Sequence, residues 1–217
     1  MTEREWLACA DPEELLEFLR EEACAGWGPQ PGRRKLRLFA CACCRRIWPA
    51  LVDPRSRMAV EVAERYADRQ ATRQELAAAF QTARAVEPVG NAGQAAAIAA
   101  APSGNLARAA VQAALAVEPR RWGAERAAQA ALVRDLFGNP FRPAPTLEAA
   151  WRLANGVAVV QLARVIYRER AFDRLPELAD ALDAAGCADA DVLGHGRSPG
   201  PHAAGCWLVD FVVGNET

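Results

Sequence analysis

The chain has 217 residues, 52% hydrophobic and 24% charged, with a formal net charge of −1. Such values belong to a globular chain with one good core or two small ones, and exclude a disordered polymer. The near-zero charge excludes a whole-molecule field that would gather nucleic acid or an anionic membrane. Arginine supplies every basic residue except Lys35. With the alanine runs, this reads first as the composition of a GC-rich genome and only second as a selection of guanidinium forks. No cationic stretch followed by an apolar run and a small-residue cleavage site opens the chain, so no signal peptide is expected. The longest apolar run, between Gln94 and Pro102, falls far short of the ~20 residues that span a bilayer. The expected location is the cytoplasm, where the seven cysteines are thiols or metal ligands and not a disulfide framework.

Helix signals dominate the chain. Asp11-Pro12-Glu13-Glu14 reads as an N-cap, a proline at the first helical position and an acidic first turn, opening a helix to about Cys24. Trp27 to Gly32 reads as a loop. Arg33 to Trp48 forms a second helix ending near Pro49. Asp53-Pro54 repeats the Asp-Pro start for a helix to Ala67. Thr72 with Glu75 is a capping box for a helix to Glu87. Residues 71–137 are alanine-rich, broken at Gly90–Gly93, Pro102–Asn105 and Pro119. Within them Ala78–Pro88 matches Ala109–Pro119 at eight of eleven positions; no third copy follows at that spacing, so neither a repeat nor chance similarity is excluded. Gly138 to Pro145 carries three prolines and is the candidate lobe boundary. Thr146–Arg170, Leu175–Ala185 and Ala188–Gly194 read as helices, with a break near Asn155-Gly156 in the first. Gly196–Gly205 is a Gly/Pro loop. The apolar Cys206–Val213 segment has no strand partner elsewhere and is assigned as a helix.

Charge is uneven along the chain. Residues 1–32 hold eight acids and two bases, residues 33–57 eight bases and one acid, and residues 171–217 eight acids and two arginines. The simplest account is internal, with the acidic first helix and acidic C-terminal part facing the basic second and third helices. A free basic patch of Arg33, Arg34, Arg37, Arg45, Arg46, Arg55 and Arg57 is the competing account.

Three cysteines cluster as Cys41-Ala42-Cys43-Cys44. At about 100° per residue, Leu36, Ala40, Cys43, Cys44 and Ile47 share one helix face. Cys41 lies about 60° from Cys44 and about 160° from Cys43, at the edge of that face. One reading makes the cysteines small buried hydrophobes. A redox C-x-x-C would need a helix N-terminus, and this pair sits mid-helix. A second reading is a tetrahedral zinc site on Cys41, Cys44, His202 and Cys206, with His195 and Cys187 as reserve ligands. The loop holding His195, Arg197, Ser198 and His202 could assemble a general base, but contains no acid to orient a histidine. No serine nucleophile elbow, HExxH, P-loop or dinucleotide fingerprint is present. Of the six tryptophans, Trp207 is expected to anchor the C-terminus.

Glu5 to Cys9 with Leu19-Arg20, the Arg37–Trp48 block, Phe137–Pro143 and the ending from Leu175 to Gly214 together resemble an uncharacterised planctomycete (Gemmata-type) paralogous family. It is marked by RLFACACCRRIW near the N-terminus and a PGPHxxGCWxVD-type C-terminus. The resemblance spans most of the chain, least in its alanine-rich centre, and carries no established activity. It implies a cysteine after the histidine that matches His195. Here the residue is Gly196, which weakens a metal site built on His195 and leaves one built on His202.

The expectation is an all-α, compact multi-helix orthogonal bundle, a single domain over 1–217 with two helical lobes if it divides near 138–146. The leading functional reading is a non-enzymatic intracellular protein-interaction or regulatory module. It rests on the lack of a catalytic constellation, a cofactor motif or a membrane segment. Another protein is the expected partner, ahead of nucleic acid. The alternatives are a zinc-stabilised helical protein that contacts nucleic acid through the arginines, and a small enzyme using the His195–His202 loop.

Overall fold

The computed structural model describes residues 1–24, 32–86, 90–103, 105–142 and 156–215. Among them are twelve α-helices, three short 3-10 helices and no strand. The protein is all-α. No described helix is long and apolar enough to cross a membrane. The chain divides into two compact units, Met1–Arg134 and Asp135–Thr217. That division falls inside a helix, just ahead of the Gly138–Pro145 stretch.

The first unit holds α1 (Glu3–Ala8), α2 (Pro12–Cys24), α3 (Arg33–Arg46), α4 (Pro54–Ala67), α5 (Arg73–Arg84), α6 (Asn91–Ala100), α7 (Arg108–Leu115) and most of α8 (Trp122–Phe137). Local chemistry sets the starts. Asp11 Oδ1 accepts the Glu13 N–H at 2.8 Å and the Asp53 side chain accepts the Arg55 N–H, satisfying donors that a first turn leaves orphaned. Thr72 and Glu75 form the reciprocal capping box. Thr2 and Glu5 form another at α1, a helix the sequence reading passed over. α5 stops at Arg84, short of the expected Glu87, which lies outside the described residues. Only Gly90 of the expected Gly90–Gly93 break stays outside α6, as its N-cap. The first copy of the internal similarity covers the second half of α5 and the second covers nearly all of α7, with Glu87 and Pro88 outside the described residues.

Helix α3 is the centre of this unit, with α4, α6 and α7 packed on it. Arg37 through Cys44 are all buried, Cys41 as fully as Cys43 and Cys44. The one-face reading, which left Cys41 at an edge, is corrected: a helix wrapped by neighbours on several sides has no edge to spare. α6 and α7 meet through alanine. Ala95, Ala96, Ala99, Ala100, Ala109, Ala110, Ala113 and Ala114 are each fully buried. Trp6, also fully buried, packs at 6.0 Å against Phe18.

The second unit holds the end of α8, then α9 (Gly156–Glu169), α10 (Leu175–Ala184), α11 (Ala190–Gly196) and α12 (Trp207–Val213). α9 packs on α10 and α12, and α10 on α11. Ile166, Leu178, Leu182, Val192 and Leu208 build its core. α11 begins and ends two residues later than its sequence signal, because Asp189, not Cys187, caps it. The Cys206–Val213 segment is a helix, as expected. Expectations on residues 27–31 and 143–155 lie outside the described residues.

Candidate metal centre

Three helices of the second unit and one loop between them deliver four buried or half-buried polar side chains to one point. The last turn of α8 presents Asp135, whose side chain is 2% exposed. α11 presents His195 near its C-terminus. The Asp189 carboxylate accepts the Asp191 and Val192 N–H groups, fixing the start of that helix. The loop after α11 presents His202, and Cys206 is the N-cap of α12. The loop is tied back to α11 by the Ser198 hydroxyl, which donates to the His195 carbonyl at 2.8 Å. Its turn rests on Gly200, where φ is 82° and an added Cβ would lie 2.8 Å from the His202 nitrogen. Only glycine fits that approach.

Asp135 is the hub. Its Oδ1 lies 2.7 Å from His202 Nδ1 and 3.2 Å from His195 Nε2. Its Oδ2 accepts the Ala203 N–H at 2.9 Å. His195 Nε2 is 3.2 Å from Cys206 Sγ. On the far sides, His202 Nε2 is 3.1 Å from the Ser198 carbonyl oxygen, and the Trp207 indole N–H donates to His195 Nδ1 at 3.0 Å.

The electrostatics follow from burial and pairing. Burial opposes ionisation of Asp135, but hydrogen bonds and charge from His195 and His202 outweigh it and hold the carboxyl below its usual range. Burial opposes the charged form of His202 as well. The Asp135 carboxylate and the Ser198 carbonyl overcome it and raise that pKa. Burial and the neighbouring Asp135 charge push the Cys206 thiol well up.

This cluster could hold a metal ion. One donor atom from each of Asp135, His195, His202 and Cys206 lies within 4.8 Å of all the others. Among the described residues it is the one such group of three or more ligand-type side chains. A tetrahedral ion with donors at about 2.0–2.3 Å sets those donors about 3.3–3.8 Å apart. The shortest separations, 2.7 and 3.2 Å, would have to widen by up to about 1 Å, and any pair near the 4.8 Å limit would have to close by about 1 Å or more. Two histidines, a carboxylate and a thiol are a mixed nitrogen, oxygen and sulfur donor set of the kind that holds borderline divalent ions.

His202 and Cys206 thus come together as the sequence suggested, joined by the reserve ligand His195. Cys41 and Cys44 belong to the first unit. There burial pushes both thiols well up, and Cys41 Sγ faces the Val60 carbonyl at 3.8 Å. Cys187 is buried in the core of the second unit, outside the four-donor group. Asp135 was missed. Its one signal was an acid set among Leu132, Val133, Leu136 and Phe137, where an apolar residue belongs. Position 196 answers to packing: a Cβ there would lie 2.8 Å from Ala179 Cβ and 3.1 Å from Leu208 Cδ2.

The seven arginines of the basic segment all have partners within the first unit. Arg34 pairs with Asp68, Arg45 with Glu64, Arg46 with Glu125 and Arg55 with Asp53. Arg33, Arg37 and Arg57 donate to the carbonyls of Pro102, Ala99 and Leu51. Arg45 also stacks 4.0 Å over the Trp48 ring. The neutralising acids come from α4, α8 and the turns beside α4. The acids Asp11 and Glu13, at the start of α2, meet Arg126 of α8.

No protein-family model, curated protein or solved structure matches the chain.

Proposed function

We propose that the chain is a non-enzymatic helical protein whose second unit is held by a structural zinc ion on Asp135, His195, His202 and Cys206. The observation that carries this reading is the convergence of four donors from separate elements within 4.8 Å. With four protein ligands the site is closed, the arrangement of structural rather than catalytic zinc. A unit of about 80 residues has a small core, and natural domains of that size gain from a metal staple. The enzyme reading gains Asp135 as the acid that orients both histidines. The loop offers it no poised nucleophile: the Ser198 hydroxyl donates to the His195 carbonyl, and neighbouring Cys206 is fully buried with its thiol pKa pushed well up. The internal partners of the seven arginines in the basic segment weigh against that segment as a phosphate-binding face.

Elemental analysis of the purified, dialysed chain tests this directly. About one zinc per chain is expected. Cobalt substitution should give the absorption of a thiolate-bound ion. Cys206→Ser and His202→Ala should each lower retained metal at least tenfold, on the scale of a lost ligand, while Cys41→Ala with Cys44→Ala should retain it. A metal-free chain, or full retention in Cys206→Ser, would refute the proposal.

A further inference from the structure

This inference rests on the zinc reading and concerns how the site responds to the ion. The two histidines are held differently on the sides that face away from Asp135. His202 Nε2 lies 3.1 Å from the Ser198 carbonyl oxygen, which only accepts. Nε2 therefore carries a proton, and in the metal-free cluster Nδ1 also donates, to the Asp135 carboxylate at 2.7 Å; Nδ1 is the nitrogen whose proton must leave to supply a lone pair to an ion. A ligating histidine needs such an outer acceptor.

His195 has the opposite partner. The Trp207 indole N–H, which can only donate, points at His195 Nδ1 from 3.0 Å. Nδ1 is the acceptor, so in the neutral ring the proton sits on Nε2. That N–H faces Asp135 Oδ1 and Cys206 Sγ, each at 3.2 Å. A metal in the cluster requires the lone pair of this same Nε2. A neutral imidazole cannot accept at Nδ1 and ligate at Nε2 together.

We infer that Trp207 makes the centre metal-responsive. Metal entry moves the His195 proton from Nε2 to Nδ1 and ends the indole donation. His195 loses no proton overall; Cys206 releases its thiol proton to solvent, and His202 releases its Nδ1 proton when charged. The broken bond matters beyond the ring. Trp207 is the first residue of α12, and its ring lies against Gly138, where a Cβ would sit 3.7 Å from Trp207 Cγ and Cδ1. Filled and empty centres therefore differ in what the first residue of the C-terminal helix touches. The unit reports its metal through that helix instead of merely being riveted by it.

The experiment follows the Trp207 indole N–H by proton–nitrogen NMR in the unaltered full chain, assigned through its contacts with His195, during a zinc titration. Cobalt absorption is recorded in parallel, and zinc affinity is compared with Trp207→Phe. The indole signal should move to a position free of the His195 acceptor and exchange faster with solvent. Trp207→Phe should bind zinc about fivefold more tightly, the equivalent of one competing hydrogen bond. A chain without thiolate-bound cobalt sinks the zinc reading and this inference with it. Zinc binding with an unmoved indole signal, or with no tighter binding in Trp207→Phe, sinks the inference alone. If Trp207→Phe does not fold, the indole signal of the unaltered chain decides.

Discussion

Gly194 and Gly196 flank His195 in one short helix, yet replacing each by alanine should have opposite effects. At Gly196 an added Cβ would lie 2.8 Å from Ala179 Cβ, 3.1 Å from Leu208 Cδ2 and 3.4 Å from the Leu175 carbonyl oxygen. Carbon atoms rest at about 3.5–4.0 Å. Leu208 can rotate, but Ala179 Cβ is fixed to its backbone, so α10 and α11 must part by about 0.7–1.2 Å at this point. Overpacking of that kind costs about 1–3 kcal/mol. At Gly194 nothing lies within 4 Å of the added atom. There alanine should stabilise by about 0.5–1 kcal/mol, through helix propensity and a less flexible unfolded chain. The unfolded-state gain is common to both variants and cancels in the comparison. The two should differ by at least about 1 kcal/mol, the overpacking cost alone, about 4–8 °C in midpoint for a unit of this size. Urea unfolding with a chelator present, read by hydrogen exchange in α10 and α11, measures it. Equal stabilities, or a Gly196→Ala variant above Gly194→Ala, would refute the packing described for α11.

Three further outcomes are expected. Asp135→Asn sets an amide against the His202, His195 and Ala203 donors; the metal-free unit should lose about 3 kcal/mol in urea unfolding, and a loss below about 1 kcal/mol would mean the carboxylate is not its hub. In chelated protein, the lowered Asp135 pKa gives stability that is present above about pH 4 and lost as pH falls through the folded value. The raised His202 pKa gives stability that is full below about pH 6.5 and lost as pH rises through the folded value. Chelated protein should therefore be most stable between those limits, whereas zinc-loaded protein should gain stability from about pH 5 to 8 as its ligands shed protons; matching alkaline slopes in the two urea series would contradict the zinc assignment. Because the arginines of α3 and α4 are internally paired, retention on a phosphate-rich resin should be weak and nearly independent of salt, and a steep salt dependence would show free guanidinium groups.

The legible parts of the sequence were those whose cause is local. Asp11-Pro12, Asp53-Pro54 and Thr72 with Glu75 act within one helical turn, so their spacing alone announces each start. The four-donor cluster depends on Asp135 and His202, 67 positions apart, and no local spacing encodes that meeting. Asp135 looked like an ordinary helix acid because its surroundings, not its neighbours in sequence, make it a hub. The C-x-x-C of Cys41 and Cys44 drew attention as a recognisable pattern. Yet α3 is enclosed by α4, α6 and α7, and a buried cysteine behaves as a small hydrophobe. Four of the seven arginines, Arg34, Arg45, Arg46 and Arg55, do meet acids within the first unit, but not the acids of the first helix or the C-terminal part that the charge pattern pointed to. Charge counts along the chain say that partners exist, not which helix carries them.

The alanine seam between α6 and α7 gives the first unit a one-sided tolerance to mutation. A seam of leucines can be damaged in graded steps, each truncation leaving a larger void. Ala95, Ala99, Ala109 and Ala113, all fully buried, have nothing to truncate except the methyl group itself. Glycine there forfeits about 1 kcal/mol of helix propensity, and any larger residue must push two backbones apart. Sequence drift in this region can therefore move only toward crowding, and an enlarging change survives only with a matched change on the facing helix. Paired substitutions across the seam are the signature such a constraint should leave.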